Sequence, residues 1–226
     1  MAEEEFYGHD MTTVAPPSQS VRTLPEALRV FVLHGSPWYL ALASAAAVVG
    51  LVLVDQWSWG QVVVVAWVLA LQPFTEWVIH VYVLHAKPVT VFGQTYDNHQ
   101  ARRHRAHHAD PRNLDILFIP MRGHLAGFVV VAGFCLTLPD AGVRFAFILI
   151  AAISSLGYEW VHFLVHTDYK PRTAAYRRLW TGHRLHHFRN ENYWFGVSRR
   201  FGDTVLRTNP AKGDVERSET CLTLAG

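Results

Sequence analysis

Apolar residues along the chain are gathered into four blocks separated by polar stretches. The blocks cover residues 37–53, 61–79, 125–138 and 143–159. Segments such as VVVVAWVLAL and FAFILIAAI lack the polar face that a helix on the surface of a soluble protein requires. Crossing a bilayer takes roughly 20 apolar residues, with about 17 as the low end. The pattern therefore predicts four transmembrane helices, of which the first is only just long enough and the third is short.

The polar stretches predict how these helices are connected. The short linkers DQWSWG and LPDAG join the blocks in pairs and predict two helical hairpins. Residues 24–34 could form a short amphipathic helix along the membrane surface. Residues 1–23 are polar with an acidic start and predict a flexible cytoplasmic tail. We therefore expect an all-α, polytopic fold with a histidine-rich helical cap, in one membrane domain over residues 24–208, followed by a C-terminal tail at 209–226.

The positions of the basic residues predict the orientation. All Lys and Arg except Arg144 lie near the N-terminus, within residues 86–122, or after His166. By the positive-inside rule, this distribution places both termini, the long middle loop and the histidine-rich ends of the helices in the cytoplasm. The formal net charge of +2 is too small to indicate nucleic-acid binding. Cys135 and Cys221 form neither a zinc motif nor a disulfide framework, which favours a reducing compartment.

Histidine is the unusual component, with 14 residues in the chain, and ten of them fall into four tight groups at the ends of the second and fourth apolar blocks. The groups are His80 and His85; His104, His107 and His108; His162 and His166; and His183, His186 and His187. Helical positions i, i+3 and i+4 share a face, so each H-x2-H-H group directs three imidazoles to one side. The five-residue step from His80 to His85 does not fit an ideal helix. It predicts a π-bulge or local unwinding if both are ligands.

The number of histidines predicts a site for two metal ions. Ten imidazoles exceed what one ion can use, and imidazole is a good ligand for iron and zinc. The two halves also look alike, because Glu-Trp-Val precedes the first histidine of each and H-x2-H-H closes each. Whether each metal takes ligands from one half or from both is left open by the sequence.

The order H-x4-H, H-x2-H-H, H-x3-H, H-x2-H-H on four apolar helices resembles the fatty acid hydroxylase and sterol desaturase superfamily of membrane di-iron oxygenases. The stretch HRLHHFRNENYWFGVS resembles the C-terminal signature of that family. The resemblance covers about residues 71–203. It implies that all ten grouped histidines are metal ligands, that the metals are two iron ions, and that O2 is the co-substrate. Zinc can replace iron on isolation because it competes well for imidazole sites.

The resemblance also implies a reaction and partners. The expected reaction is hydroxylation of a membrane lipid, most simply a fatty acyl or sphingoid-type chain, with desaturation left open. The haem-binding His-Pro-Gly-Gly motif that some members carry is missing from the sequence, so we expect a separate electron donor of the cytochrome b5 or ferredoxin type.

Residues next to the histidines are candidates for supporting roles. Carboxylates that flank the groups could hold the second ring nitrogen of a ligand: Glu76, Glu159, Asp110, Asp115 and Asp168. His99 could be an outer ligand. A lipid pocket could be lined by the aromatic run Tyr193, Trp194 and Phe195. The basic residues Arg102, Arg103 and Arg105 fit a solvated face near anionic headgroups or a docking patch for an acidic electron donor.

Three other functions remain open at this stage. Carotenoid ring hydroxylases have similar histidine motifs in chains of similar size. A zinc-dependent hydrolase is less consistent, because catalytic zinc usually takes three protein ligands. A metal transporter would place its polar ligands near the bilayer midplane, whereas these histidines lie at helix ends and in loops.

Overall fold

The computed structural model describes residues 21–224, so residues 1–20 of the predicted N-terminal tail lie outside it. Nine α-helices make up most of this part of the chain, together with one π-helical turn, one small hairpin and one 3-10 turn. In chain order they are α1 (Leu24–Phe31), α2 (Gly35–Val54), α3 (Trp59–Ile79), a π-helix (His80–Leu84), β1 (Val89–Val91), β2 (Gln94–Tyr96), α4 (His99–Ala109), α5 (Leu114–Leu117), α6 (Met121–Cys135), α7 (Ala141–Val165), α8 (Ala174–Phe188), α9 (Phe201–Val205) and a 3-10 turn (Lys212–Asp214).

Four helical segments are long and apolar enough to cross a membrane, which confirms the predicted helical membrane fold. They are Gly35–Val54, Trp59–Leu84, Leu114–Cys135 and Ala141–Val165. Their outward apolar side chains are exposed, as expected for a surface in contact with lipid; Leu53 and Val130, for example, are 78% and 72% exposed. The third segment begins at Leu114, before the predicted residue 125. The prediction placed its start too late because Asp115 and Arg122 lower the hydropathy of its first turns.

Helix α7 is the centre of the membrane bundle. Both α2 and α3, the helices of the first predicted hairpin, pack mainly against α7, which belongs to the second. The two hairpins are therefore joined through α7. Val64 of α3 and Val143, Ala146 and Phe147 of α7 form the buried apolar core of this region. This packing brings the ends of α3 and α7, which carry His80 and His162, to the same end of the bundle.

The predicted amphipathic segment 24–34 contains α1, which packs against protein on one side. Ala27, Val30 and Phe31 are buried in a second core, where the Phe31 ring meets that of Trp160 edge to face at a centroid distance of 5.0 Å. The opposite side of α1 exposes Leu28 (54%), which suits an interfacial position. This core supports the end of α7 from which the histidines project.

We expect the Thr23→Ala substitution to destabilise the protein by about 1 kcal/mol, because it removes the N-terminal cap of α1. The Thr23 hydroxyl accepts from the Glu26 N–H, and the Glu26 carboxylate accepts from the Thr23 N–H at 3.1 Å. Thermal unfolding in detergent measures the change. Thr23→Ser keeps the cap and should match the wild type; equal loss in both variants would contradict the capping argument.

The π-helix at His80–Leu84 confirms the predicted irregularity between His80 and His85. The His85 N–H donates to the His80 carbonyl at 3.0 Å, which closes an i to i−5 turn. The extra residue rotates His85 towards His80, and their ring centroids lie 5.0 Å apart. Both imidazoles can therefore face one site.

Candidate metal centre

The ten grouped histidines converge at one end of the bundle. Nine of them are buried and His85 is half-buried. They form two groups, and within each group the nearest ring nitrogens all lie within 4.8 Å of one another. The first group is His80, His85, His104, His108 and His186. The second group is His107, His162, His166, His183 and His187.

Each group takes four histidines from one half of the chain and one from the other. His186 comes from the second half, yet its ring centroid lies 4.6 Å from that of His80 and 5.0 Å from that of His85. His107 comes from the first half and lies 4.5 Å from His166 and 4.7 Å from His187. The sequence left open whether each metal takes ligands from one half of the chain or from both. In the structure, each five-histidine group contains residues from both halves.

The H-x2-H-H spacing explains the exchange. On α4, His104 and His108 are four residues apart and join the same group, whereas His107 lies on an adjacent strip of the helix surface. The same division separates His183 and His187 from His186 on α8. Each of these two helices therefore serves both groups at once.

The donor atoms fit bound metal ions. In the first group, Nε2 of His104 lies 3.1 Å from Nε2 of His80 and 3.2 Å from Nε2 of His108. In the second group, Nε2 of His183 lies 2.9 Å from Nε2 of His166. Nε2 of His186 is buried and has no hydrogen-bond partner among the described residues. A set of converging imidazole nitrogens suits iron or zinc.

The imidazoles outside the membrane-spanning segments are held in the neutral form that binds metal. Burial, followed by repulsion from neighbouring imidazoles, lowers the pKa of six of them well below the ordinary value of 6.5: His104, His107, His166, His183, His186 and His187. A metal ion therefore does not have to displace protons from these rings at neutral pH.

Backbone carbonyls orient three histidines of the first group. Nδ1 of His80 donates to the Phe195 carbonyl at 2.6 Å, and Nδ1 of His186 donates to the Tyr193 carbonyl at 2.9 Å. Nδ1 of His108 donates to the Cys221 carbonyl at 2.8 Å. A carbonyl can only accept, so each bond places the proton on Nδ1 and leaves the Nε2 lone pair for a ligand bond.

The flanking carboxylates predicted for this role have other partners. Glu76 accepts from the backbone N–H groups of Val197 and Ser198, and Glu159 accepts from the Ser36 hydroxyl and the Ile119 N–H. Asp168 faces Arg112 at 3.8 Å. The prediction for Glu76 and Glu159 is corrected: N–H groups of loop residues 119, 197 and 198, which lie outside the helices, need acceptors and take these buried carboxylates.

The turn at Trp194 directs two of the carbonyls to the site. Trp194 has a φ of +58°, a left-handed conformation that costs a non-glycine residue roughly 1–2 kcal/mol. Its N–H donates to the Thr208 carbonyl at 2.7 Å and its indole N–H to the Pro210 carbonyl at 3.1 Å. These bonds hold the strained turn, with Tyr193 and Phe195 on either side of it.

Of the other residues that the sequence predicted near the site, Phe195 contacts the histidines, whereas His99 lies outside both groups. The Phe195 ring lies 5.4–5.6 Å from the rings of His80, His85 and His186, so it forms an apolar wall of the first group. His99 begins α4 outside both groups. Among the basic residues, Arg105 pairs with Asp97 at 2.5 Å, Arg103 donates to the Asp115 carbonyl, and Arg102 is exposed.

The C-terminal segment lies over the first group. Cys221 is buried beside His108, and Glu191, three residues after α8, accepts from the Ser218 hydroxyl at 2.9 Å and the Thr220 hydroxyl at 2.5 Å. The Ser218 N–H donates to the Arg189 carbonyl at 2.8 Å. Sequence reasoning missed the contact between His108 and the Cys221 carbonyl, because every residue has a backbone carbonyl and the residue type gives no signal of it.

We expect deletion of residues 216–226 to weaken metal binding in the first group by about tenfold, because His108 loses the partner that orients it. Metal content and affinity of the purified chain measure this effect. Deletion of residues 225–226 keeps Cys221 and the turn in which the Thr223 and Leu224 N–H groups donate to the Thr220 carbonyl, and it should leave both groups unchanged. Equal weakening by the two deletions would contradict a role for the Cys221 carbonyl.

Comparisons with known proteins agree with this architecture. The model of the family described as fatty acid hydroxylase matches residues 63–208. A solved structure of full-length Scs7p, in which only the hydroxylase domain is visible, superposes with a TM-score of 0.63 and 18% sequence identity. The match covers 80% of this chain and 66% of that chain, just under two thirds of its length, and at this identity it shows a shared fold. No curated protein matches the sequence.

The family match carries the assignment. It spans well over half of the 226 residues and includes every histidine of both groups. The superposition on the hydroxylase domain of Scs7p agrees with this match at the level of the fold. The chain belongs to the fatty acid hydroxylase family.

Proposed function

We propose that the chain is a non-haem di-iron oxygenase that uses O2 to hydroxylate a C–H bond of a membrane lipid, most simply a fatty acyl or sphingoid-type chain. The observation that carries the proposal is the pair of buried five-histidine groups at the ends of the membrane helices. The proposal names all ten histidines as ligands, five to each iron. When bound, two ferrous ions would bind O2 and pass to it the electrons that an external donor supplies.

The position of the groups supports a lipid substrate. His80 lies at the end of one candidate membrane span and His162 near the end of another. A lipid that enters from the bilayer reaches this level without crossing water. Phe195 presents an apolar ring beside the first group, where it can contact an alkyl chain and exclude water.

The remaining parts of the proposal concern electrons and orientation. Hydroxylation by O2 consumes two external electrons and two protons and gives the alcohol and water. We propose that a separate cytochrome b5- or ferredoxin-type protein delivers the electrons. The basic residues of the histidine-bearing end support a cytoplasmic location for that end, where such donors occur.

Lipid mass spectrometry under 18O2 tests the proposed reaction. Cells with a working electron donor would express either the wild type or the His107→Ala, His186→Ala double variant. A lipid that gains one labelled oxygen with the wild type alone is the expected result. A labelled carotenoid in pigmented cells would replace the substrate class, and unlabelled loss of two hydrogens would identify a desaturase. No product despite bound iron would contradict oxidative function.

A further inference from the structure

The loop of residues 193–198 is held by two buried carboxylates. Four successive backbone N–H groups, those of residues 195–198, donate to them. Asp203 accepts the first two, at 2.9 and 2.7 Å, and Glu76 accepts the last two, at 2.7 Å for the Ser198 N–H. Asp203 is 1% exposed and Glu76 is 8% exposed. Each N–H of residues 195–198 is thus fixed by a carboxylate side chain from another element.

The two carboxylates are brought together by close packing of α9 on α3. A Cβ atom on Gly202 would lie 3.0 Å from the Pro73 carbonyl carbon and closer still to its oxygen, so only glycine allows this approach. A Cβ atom on Gly196 would lie 2.8 Å from the Asp203 carboxylate and would also collide with the Arg199 carbonyl. The glycine positions permit the geometry that the carboxylates then hold.

The same loop carries the carbonyls that face the first histidine group. The Tyr193 carbonyl accepts from His186, and the Phe195 carbonyl accepts from His80. His186 is the ligand that the first group takes from the other half of the chain. Fixing the loop therefore fixes two of the five imidazoles, one from each half, while no described contact connects it to a histidine of the second group.

We propose that Asp203 and Glu76 are positioning residues that set the orientation of His80 and His186 through this loop, and so the metal affinity of the first group. This inference rests on the proposed metal site. It assigns the two carboxylates a selective effect: the first group depends on them and the second group does not.

Amide substitutions separate this role from a general effect of charge. Both oxygens of Asp203 accept a backbone N–H, so Asp203→Asn turns an amide N–H2 towards one of the two donors. Both N–H groups at Glu76 go to one oxygen, while the other accepts from the Ser198 hydroxyl and Gln72. Glu76→Gln can keep the first oxygen, so its effect should be the smaller.

Glu159 provides a matched control. It precedes His162 within the same Glu-Trp-Val motif that places Glu76 before His80, it is buried, and it also accepts from a backbone N–H, that of Ile119 at 3.0 Å. Its partners carry no carbonyl that holds a grouped histidine. Glu159→Gln removes the same charge without touching the loop.

Titration of chelator-stripped protein with Co2+ in detergent tests the inference. We expect two bound equivalents in the wild type and in Glu159→Gln. In Asp203→Asn, one equivalent should weaken by about tenfold or more while the other is unchanged, in line with the loss of an outer partner. Glu76→Gln should weaken the same equivalent by less.

Paired variants identify which group responds. In a His162→Ala, His166→Ala chain, Asp203→Asn should still weaken the remaining equivalent; in a His80→Ala, His85→Ala chain, it should not. If Asp203→Asn does not fold, Thr208→Val, which removes a hydroxyl that donates to Asp203 at 2.7 Å, carries the same prediction at smaller size.

Three results would count against the inference. Equal weakening of both equivalents, no weakening of either, or an effect of Glu159→Gln as large as that of Asp203→Asn would each overturn it. A wild type that does not bind two equivalents would instead refute the proposed two-metal site, which distinguishes the two failures.

Discussion

Replacing His183 and His186 together with alanine is expected to remove both metal ions, although the two residues lie one turn apart on α8. His183 belongs to the second group and His186 to the first. Loss of a direct ligand should weaken each site by more than about 100-fold, beyond the 10–100-fold cost of losing an outer partner. Metal analysis of the purified variant measures the loss, and lipid hydroxylation should disappear with it.

The matched comparison is the His80→Ala, His186→Ala chain, which also removes two histidines but draws both from the first group. It should lose one ion and keep the other, even though its two changes fall in different halves of the sequence. If each half bound its own metal, the two results would be reversed. That reversal is the outcome that would contradict the exchanged arrangement.

Removing the metals with a chelator is expected to lower thermal stability and abolish hydroxylation, and zinc should restore the first without the second. An ion that binds only the folded chain stabilises it by about 4 kcal/mol at 1,000 times its Kd. For a chain of this size that corresponds to roughly 8–16 °C in Tm. Zinc binds imidazole but has no redox chemistry, whereas Fe2+ should restore both properties.

The control for metal type is Mg2+, which prefers oxygen ligands and should restore neither stability nor activity. Thermal unfolding and product analysis on the same preparations give both readouts. Hydroxylation by the zinc-loaded chain would contradict an oxidative mechanism. Failure of zinc to raise Tm would contradict binding at the buried histidines.

Much of the fold follows from short-range patterns. Uninterrupted apolar blocks identify the four membrane helices, because a helix surrounded by lipid has no polar face to conserve. The five-residue step between His80 and His85 predicts a π-bulge or local unwinding if both are ligands, since a turn of 3.6 residues cannot bring both rings to one side; the structure has a π-helix there. Both inferences depend on residues close together in the chain.

The missed features depend on long-range contacts. The H-x2-H-H spacing turns His107 and His186 to an adjacent strip of α4 and α8. That this strip faces the other group follows from how the two helices lie between the groups, which the spacing alone does not encode. The carbonyls of Tyr193, Phe195 and Cys221 orient three ligands, and a carbonyl is present at every residue.

The start of α6 was misplaced for a local reason: charged residues near the end of a membrane helix reduce its hydropathy without ending it.

The most direct test of the two-metal site is a structure of the iron-loaded protein with anomalous scattering measured at the iron edge. The two-metal arrangement predicts two anomalous peaks for each chain. One should lie among His80, His85, His104, His108 and His186, and the other among His107, His162, His166, His183 and His187. A single peak, or two peaks that each contact histidines from one half of the chain alone, would contradict it.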